Sequence, residues 1–170
     1  MVCRLFKNGA WTICLAVFIV ILDQLSKNWV LDLLKQGFFK DPITSFFNIV
    51  ERWNRGVSFG MLGEQALSPW VFICFSLLIS LFLIIWASRE DNVLSRLALG
   101  CIIGGALSNS FDRFKQGAVF DFLDFHLGDY YWPAFNLADS TIVLGVGLLF
   151  LTSTLKKRER GEAKGNNNVS

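Results

Sequence analysis

Four long apolar runs constrain this chain more than any other feature of its sequence. The clearest, residues 67–88, contains no ionisable residue and can cross the roughly 30 Å hydrocarbon core of a bilayer as a helix. Pro69 and Trp70 stand at its start and Trp86 near its far end, as expected at membrane interfaces. In lipid a segment must satisfy its own backbone hydrogen bonds, which favours helices. The sequence therefore predicts a membrane protein.

Two further spans carry polar residues near one end. The first begins in the apolar run 10–22 and continues past Asp23 and Lys27. No small-residue cleavage site follows the run, so we expect a retained helix and not a signal peptide. The fourth span covers about 135–155, and Asp139 lies one turn inside it. An even number of spans puts both termini on one side of the membrane.

The third span, about residues 97–111, is short and rich in small residues. Gly100, Gly104 and Ser108 recur at every fourth position, which lets helix backbones approach closely and predicts a central helix. Before the second span, residues 46–53 alternate aromatic and β-branched residues with polar ones, a pattern typical of a surface strand or hairpin. The predicted fold class is an all-α membrane protein with four transmembrane helices and a small β-sheet and loop or helix element on the exterior surface.

The charge distribution predicts the orientation of these spans. With 16 Lys plus Arg against 14 Asp plus Glu, the net charge of +2 is too small to favour nucleic-acid binding. Basic residues at the span ends are more numerous on the side of the termini, which predicts cytoplasmic termini and a periplasmic active side. We expect one domain over residues 1–158 and a disordered cytoplasmic tail over residues 159–170.

The cysteines do not indicate a metal site. Cys3, Cys14, Cys74 and Cys101 have no CxxC spacing and lie in or beside apolar stretches, which favours packing roles. The single histidine, His126, is far from all of them in sequence. Zinc sites cluster Cys and His, so we predict neither a metal nor another cofactor.

Ionisable residues at membrane depth are candidates for function, because each costs about 2.5 kcal/mol or more there. Asp23 and Lys27 are spaced i, i+4, and a neutralised structural pair is at least as good an interpretation as a catalytic one. Asn109 and Asp112 share a helix face with Arg113 adjacent, and here an ion-pair and hydrogen-bond brace is the favoured interpretation.

Asp139 is different, since no basic residue lies within a helical turn of it. Its carboxyl therefore needs a partner elsewhere in the fold. Asp121 is the natural candidate, because it lies in the apolar loop 119–122 just before the chain re-enters the membrane. Two carboxylates in a dry site share a proton, so one can act as base and the other as acid. Peptide hydrolysis without a metal or a nucleophile needs that pair.

Other interpretations fit less well. A serine mechanism lacks a base within evident reach of Ser58, Ser108 or Ser140. A small proton- or ion-coupled membrane transport subunit predicts polar residues through the full membrane depth or an inverted repeat, and neither is visible. A non-catalytic assembly partner would leave Asp121 and Asp139 without a reason for their positions.

The motifs taken together resemble the lipoprotein signal peptidase (signal peptidase II) family over nearly the whole chain. They are, in order, Asp23-Gln24 with Lys27, Asn-Arg-Gly-Val-Ser-Phe at 54–59, Gly-Gly-Ala-Leu-Ser-Asn at 104–109 running to Asp112-Arg113, Val-Phe-Asp-Phe at 119–122 and Phe-Asn-Leu-Ala-Asp at 135–139. Five such motifs in the right order on four spans are specific. Ser58 stands where Ala is usual and Ser108 where Gly is usual. The Ser108 hydroxyl can bond back to a helix carbonyl, so we expect little loss of packing.

The resemblance implies a bacterial inner-membrane aspartic endopeptidase whose catalytic dyad is Asp121 and Asp139. Residues that hold the substrate backbone or the dyad's geometry fall on Asp23, Lys27, Asn54, Gly56, Asn109, Asp112, Arg113 and Asn136. The implied substrate is a prolipoprotein met at the membrane lipid, cut just before a cysteine that carries a diacylglyceryl group. Globomycin blocks this family, and a monomer would suffice for the activity.

Overall fold

The computed structural model describes residues 2–39, 42–56 and 67–166, and the side chains among them outside 2–8 and 156–166. Its helices are α1 (Val2–Lys35), α2 (Pro69–Arg89), α3 (Val93–Gln116) and α4 (Leu137–Asn166), and its strands are β1 (Phe47–Asn54), β2 (Val119–Leu127) and β3 (Tyr130–Tyr131). All four helices contain spans long and apolar enough to cross a membrane. The predicted fold class, four membrane helices with a small sheet, is confirmed.

Helix α3 is the centre of the bundle, as its small residues predicted. It contacts α1, α2 and α4, and its Leu99 and Ile103 are fully buried. A Cβ added at Gly104 would lie 2.8 Å from the backbone oxygen of Ala16 on α1. At Gly105 it would collide with the backbone oxygen of Ala138 on α4. The glycines therefore allow two backbones to approach α3 from different sides.

The outer faces of the helices are apolar and exposed. On α2, for example, Phe75, Leu78 and Phe82 are each more than half exposed. Cys14 and Cys74 also lie on exposed faces as free thiols, so among the three cysteines with described side chains the expected packing role fits only the half-buried Cys101. The side chain of Cys3 lies outside the described residues. A helix whose outer face is apolar is stable in lipid, because lipid supplies the apolar surroundings that a soluble protein would need a core to provide.

The strands form a sheet in the order β1-β2-β3, at the end of the bundle where α1 and α3 finish and α2 and α4 begin. We call this the sheet end. In the β1–β2 ladder Arg52 pairs with Asp121, after a register shift between Ile49 and Arg52. Asp121 was expected in a loop; it lies instead in β2, because residues 119–127 find a partner strand in β1.

Two local features fix β2 to the helices. Phe120 and Phe122 pack with Val30 of α1 in a buried apolar cluster beneath the sheet. On the other side Leu123 forms an isolated bridge with Phe135, immediately before α4 begins. The strand is therefore tied to α1 through its side chains and to the start of α4 through its backbone.

Helix α4 is longer than the sequence predicted. The apolar span ends at Leu155, yet the helix continues to Asn166, so residues 159–166 are helical where disorder was expected. The last four residues of the expected tail lie outside the described residues. The run 156–164 contains Lys, Arg, Glu and Ala, which are good helix formers in water, and it simply extends an existing helix.

The close α3–α4 contact generates a prediction about Gly105. We expect Gly105→Ala to lower the free energy of unfolding by about 1–3 kcal/mol, because the new methyl group meets backbone that cannot move aside easily. Gly147→Ala on α4 is the matched control, since nothing lies within 4 Å of its added Cβ. Thermal unfolding in detergent, followed by tryptophan fluorescence, measures both; equal midpoints for the two variants would contradict the prediction.

Candidate active site

Asp121 is held between two asparagine side chains. Its Oδ2 accepts a hydrogen bond from Asn54 Nδ2 at 3.1 Å, and its Oδ1 accepts one from Asn136 Nδ2 at 2.7 Å. The residue is only 3% exposed. Burial raises the pKa of the Asp121 carboxyl to about 6, the negative charge of Asp139 acts in the same direction, and the two amide hydrogen bonds oppose them. The carboxyl therefore exchanges its proton near neutral pH.

Asp139 is positioned by the start of α4. Asn136 precedes the helix, and its Oδ1 accepts the backbone N–H of Asp139 at 3.0 Å. In return Asp139 Oδ2 accepts the backbone N–H of Asn136 at 3.2 Å, which completes a reciprocal capping box. The other oxygen, Oδ1, accepts a hydrogen bond from Asn109 Nδ2 of α3 at 2.7 Å. The partner that Asp139 lacked on its own helix is thus supplied by α3.

Asn136 and Asn109 connect the two carboxyl groups. The Asn136 side-chain nitrogen donates to Asp121 Oδ1, and the Asn136 backbone N–H donates to Asp139 Oδ2. The side-chain nitrogen also donates to Asn109 Oδ1 at 3.2 Å. Asn136 is fully buried, so its amide cannot turn toward water to satisfy either end. Two aspartates from a strand and a helix are thereby brought to one pair of amides.

A buried ionic cluster lies next to this site. Lys27 Nζ is 2.7 Å from Asp23 Oδ2 and 2.6 Å from Asp112 Oδ2, and it also donates to Asn109 Oδ1 at 3.2 Å. The predicted Asp23–Lys27 pair is present. Asp112 pairs across helices with Lys27, however, and the brace does not run through its sequence neighbour Arg113. One ammonium between two carboxylates stabilises charges that neither water nor lipid could solvate here.

The ionic cluster reaches the catalytic candidates through backbone as well as side chains. Asp23 Oδ1 accepts the backbone N–H of Ala138 at 2.8 Å, the residue immediately before Asp139. The first turn of a helix leaves its N–H groups without partners, so this carboxylate satisfies one of them and stabilises the helix end electrostatically. Asp23 of α1 therefore helps to fix where α4 begins.

Two members of this cluster were not among the predicted site residues. Gln24 donates to Asp112 Oδ1 at 2.6 Å and to Ser108 Oγ at 3.1 Å. Ser108 Oγ in turn donates to Asp23 Oδ2 at 2.6 Å, and not to a helix carbonyl. A carboxylate is the stronger acceptor and lies directly opposite on α1. The one-in-four spacing with Gly104 was the signal that placed Ser108 against that helix.

Gly56 and Arg113 lie beside the site near Phe72. The backbone N–H of Gly56 donates to Asn54 Oδ1 at 2.9 Å, which orients the amide that holds Asp121. Gly56 has a φ of 113°, and a Cβ there would collide with the Phe72 ring. Arg113 places its guanidinium 5.0 Å from the centre of the same ring, and its Nη1 donates to Asn109 O at 3.3 Å. Its buried Nε has no hydrogen-bond partner among the described residues.

The serine alternative finds no support in the geometry of residues 67–166. Ser108 contacts Asp23 and Gln24, and the Ser140 hydroxyl donates to the backbone oxygen of Asn136. His126 lies in β2, one residue before its end, and its ring contacts the Asn48 side chain. Ser58 lies outside the described residues. No serine in the described part of the chain contacts the histidine.

Buried charge is confined to one end of the described bundle. The buried ionisable residues at the sheet end are Asp23, Lys27, Asp112, Asp121 and Asp124. At the opposite end the buried polar side chains are hydroxyls, such as Ser95 and Thr152, which hydrogen-bond to each other at 3.3 Å. An ion pathway would need polar groups through the membrane depth, so the described residues do not favour transport.

Comparisons with known proteins agree on one family. Residues 15–155 match the family model described as signal peptidase (SPase) II. The chain is 43% identical over 140 residues to the lipoprotein signal peptidase of Beijerinckia indica, covering 81% of this chain and 84% of that protein. It is 40% identical over 158 residues to the lipoprotein signal peptidase of Aeromonas hydrophila, covering 91% and 94%.

Solved structures give the same fold. Two structures described as a bacterial membrane enzyme solved by the in meso method match with TM-scores of 0.70 and 0.71. The first is 29% identical and covers 89% of this chain and 91% of its own. The second is 31% identical and covers 84% and 92%. The four-helix arrangement with its small sheet is therefore shared with a solved bacterial membrane enzyme.

The hydroxyl of Ser108 generates a prediction about stability. We expect Ser108→Ala to cost about 1–3 kcal/mol of unfolding free energy, because Asp23 loses a buried donor and Gln24 loses an acceptor. Ser110→Ala is the matched control, since that hydroxyl bonds only to the carbonyl of Ala106 on its own helix. Chemical denaturation in detergent compares them, and a loss for Ser110→Ala as large as that for Ser108→Ala would count against the argument.

The raised pKa of Asp121 generates a second prediction. A carboxyl whose pKa is higher in the folded state than in the unfolded state stabilises the fold at low pH, and this contribution is lost as pH rises through the folded pKa of about 6. Asp121→Asn removes this dependence and the buried charge. We therefore expect its unfolding midpoint to exceed that of the wild type at pH 7.5, and the difference to shrink at pH 4.5. A difference that grows on acidification would contradict the assigned pKa direction.

Proposed function

Since the chain belongs to the signal peptidase II family, we propose that it is an intramembrane aspartic endopeptidase that removes signal peptides from prolipoproteins. The proposed cut lies just before a cysteine that carries a diacylglyceryl group. One observation carries the proposal: Asn136 binds both carboxyl groups at once, its side-chain Nδ2 donating to Asp121 Oδ1 and its backbone N–H to Asp139 Oδ2. Lipoprotein signal peptidases of about 40% identity supply the substrate class.

In the proposed mechanism the two carboxyl groups share one proton. The ionised carboxylate removes a proton from a water molecule, and the resulting hydroxide attacks the scissile carbonyl carbon. The protonated carboxyl donates a hydrogen bond to the carbonyl oxygen and then transfers its proton to the amine of the departing cysteine. One peptide bond and one O–H bond of water break, and a carboxyl group and an amine form. The pKa of about 6 for Asp121 suits this proton exchange near neutral pH.

The surrounding residues act by positioning. Asn54 and Asn136 hold both oxygens of Asp121, while Asn109 and the α4 capping box hold both oxygens of Asp139. Holding a carboxylate in one orientation keeps its proton-transfer geometry without reorganisation during the reaction. Arg113, with its Nε unpaired among the described residues, is placed to bind a substrate carbonyl.

We further propose that the sheet end faces the periplasm and that both termini are cytoplasmic in a bacterial inner membrane. Trp53, Tyr130, Tyr131 and Trp132 are exposed around the sheet end, as expected for aromatic side chains at a lipid–water interface. A signal peptide that lies in the bilayer would then reach the dyad laterally, and the rest of the substrate would leave into the periplasm.

Inhibition and assembly follow from the same proposal. We expect globomycin, which blocks this family, to inhibit this chain at the same site. We expect a monomer to suffice for the chemistry, because both carboxyl groups of the proposed dyad belong to one chain.

The decisive experiment measures turnover of a diacylglyceryl-modified prolipoprotein peptide by purified Asp121→Asn and Asp139→Asn variants. We expect each to lose a factor of about 100 to 10,000 in kcat, because general acid–base catalysis fails when either carboxyl is replaced by an amide. Asp129→Asn, which replaces an exposed carboxylate in the turn between β2 and β3, is the control and should retain wild-type rates. A folded Asp121 or Asp139 variant with near wild-type turnover would disprove the dyad.

A further inference from the structure

Asp124 is a buried carboxylate that the proposed mechanism does not use. It lies in β2 three residues after Asp121 and is 5% exposed. Every other buried ionisable side chain at the sheet end has a hydrogen bond or an ion pair, but Asp124 has neither within residues 2–39, 42–56 and 67–166. Asp124 lines a cavity, so its carboxylate is an unused acceptor that a ligand entering the cavity can reach.

The cavity that Asp124 lines is also lined by Asp121, one of the two residues of the proposed dyad. The cavity has a volume of about 410 Å³, and both Asp121 and Asp124 line it. Its other walls are the end of β1 and the segment between β3 and α4, which contribute Arg52, Arg55, Tyr131, Trp132 and Pro133, among others. This volume is within the range of small-ligand sites and can hold a short peptide segment. The cavity is therefore an extension of the active site toward the sheet.

The direction of the cavity identifies which part of a substrate would enter it. The signal peptide of a substrate lies with the membrane spans, whereas β1, β2 and β3 lie beyond the span ends. The polypeptide on the amine side of the cut must leave the membrane past these strands. The polypeptide after the cut is thus the part of the substrate that lies nearest to the cavity lined by Asp121 and Asp124.

We propose, building on the function above, that this cavity binds the residues that follow the lipidated cysteine, and that Asp124 accepts a hydrogen bond from one of their backbone N–H groups. An extended peptide beside a strand presents an N–H group at regular intervals, whatever its side chains. A carboxylate acceptor makes that bond stronger than a neutral acceptor would. The contact suits an enzyme that must accept many different mature sequences.

Two arginines argue against a cationic side chain as the occupant. Arg52 and Arg55 line the cavity, are exposed, and form no ion pair among the described residues. Their positive charges offset the charges of Asp121 and Asp124 in the same lining, so an incoming Lys or Arg side chain gains little there, whereas a neutral N–H group needs no net negative charge. The same arginines favour an acidic side chain at the cavity rim. The cavity thus combines a sequence-independent contact with a charge preference.

The test combines enzyme variants with substrates in which one backbone N–H is replaced by an ester oxygen. The substrates are diacylglyceryl-modified peptides with the ester placed, in turn, at each of the first three residues after the cysteine. With wild-type enzyme we expect one ester position to lower kcat/KM about tenfold. With Asp124→Ala the all-amide peptide should already be about tenfold poorer, and the same ester should cost nothing further. Asp124→Asn, which keeps a weaker acceptor, should fall between them.

Controls separate this inference from a structural role and from the proposed function. Asp129→Asn should show the wild-type ester effect, and Asp124→Asn should unfold at the wild-type temperature or above, because no folded partner is lost. The N–H contact would be overturned if, at all three positions, the ester lowered kcat/KM by the same factor in Asp124→Ala as in the wild type. If the wild type cleaves none of the peptides, the proposed function fails instead.

A side-chain series tests the charge preference. Peptides with Glu, Gln or Lys at the first residues after the cysteine should be cleaved in that order of kcat/KM, with Glu severalfold above Lys at low salt. The double substitution Arg52→Gln with Arg55→Gln should reduce the differences in kcat/KM among the three peptides. Arg89→Gln, which replaces an exposed arginine at the end of α2, is the control and should leave those differences unchanged. The reverse order, with Lys best, would show that Asp124 binds a cationic side chain and would overturn the proposal.

Discussion

The buried charges at the sheet end must be satisfied by the protein itself, and the rest of the structure depends on that requirement. Lys27 lies between two carboxylates from α1 and α3, and each of those carboxylates has a further donor. Breaking one member of such a group leaves a buried charge unpaired, which costs far more than an exposed ion pair would. The helices therefore have little freedom to slide at this end, although their outer faces are apolar and exposed.

This network explains why the small residues of α3 matter beyond packing. Gly104 lets α1 approach until Asp23 reaches the start of α4, and Gly105 lets α4 approach until Asn109 reaches Asp139. Short side-chain hydrogen bonds across helices are possible only when backbones are this close. The apolar contacts and the polar network therefore depend on the same helix spacing.

Hydropathy made the four spans, the central α3 and the strand-like β1 predictable, because each has a periodic or compositional signal. The helical extension of α4 had no apolar signal, since its residues are polar and the helix simply continues past the lipid. The partners of Asp112 and Ser108 could not be read from spacing, because Lys27 and Asp23 are more than 80 residues away in sequence. The pairing of Asp121 with the Asn54 amide depends on the β1–β2 register, which includes an irregularity that periodicity does not reveal.

Catalytic geometry and fold stability are coupled through Asn136. The residue caps α4, donates to Asp121 and accepts from Asp139, so the interactions that begin the helix also orient the proposed dyad. Asp121 reaches the same amide only because β2 is bridged to Phe135 just before the cap. Strand, cap and helix must consequently all be in place before both carboxyl groups are bound by Asn136. The proposed pair therefore depends on the complete fold at the sheet end, because a partly folded chain lacks the cap and the strand that hold its two members.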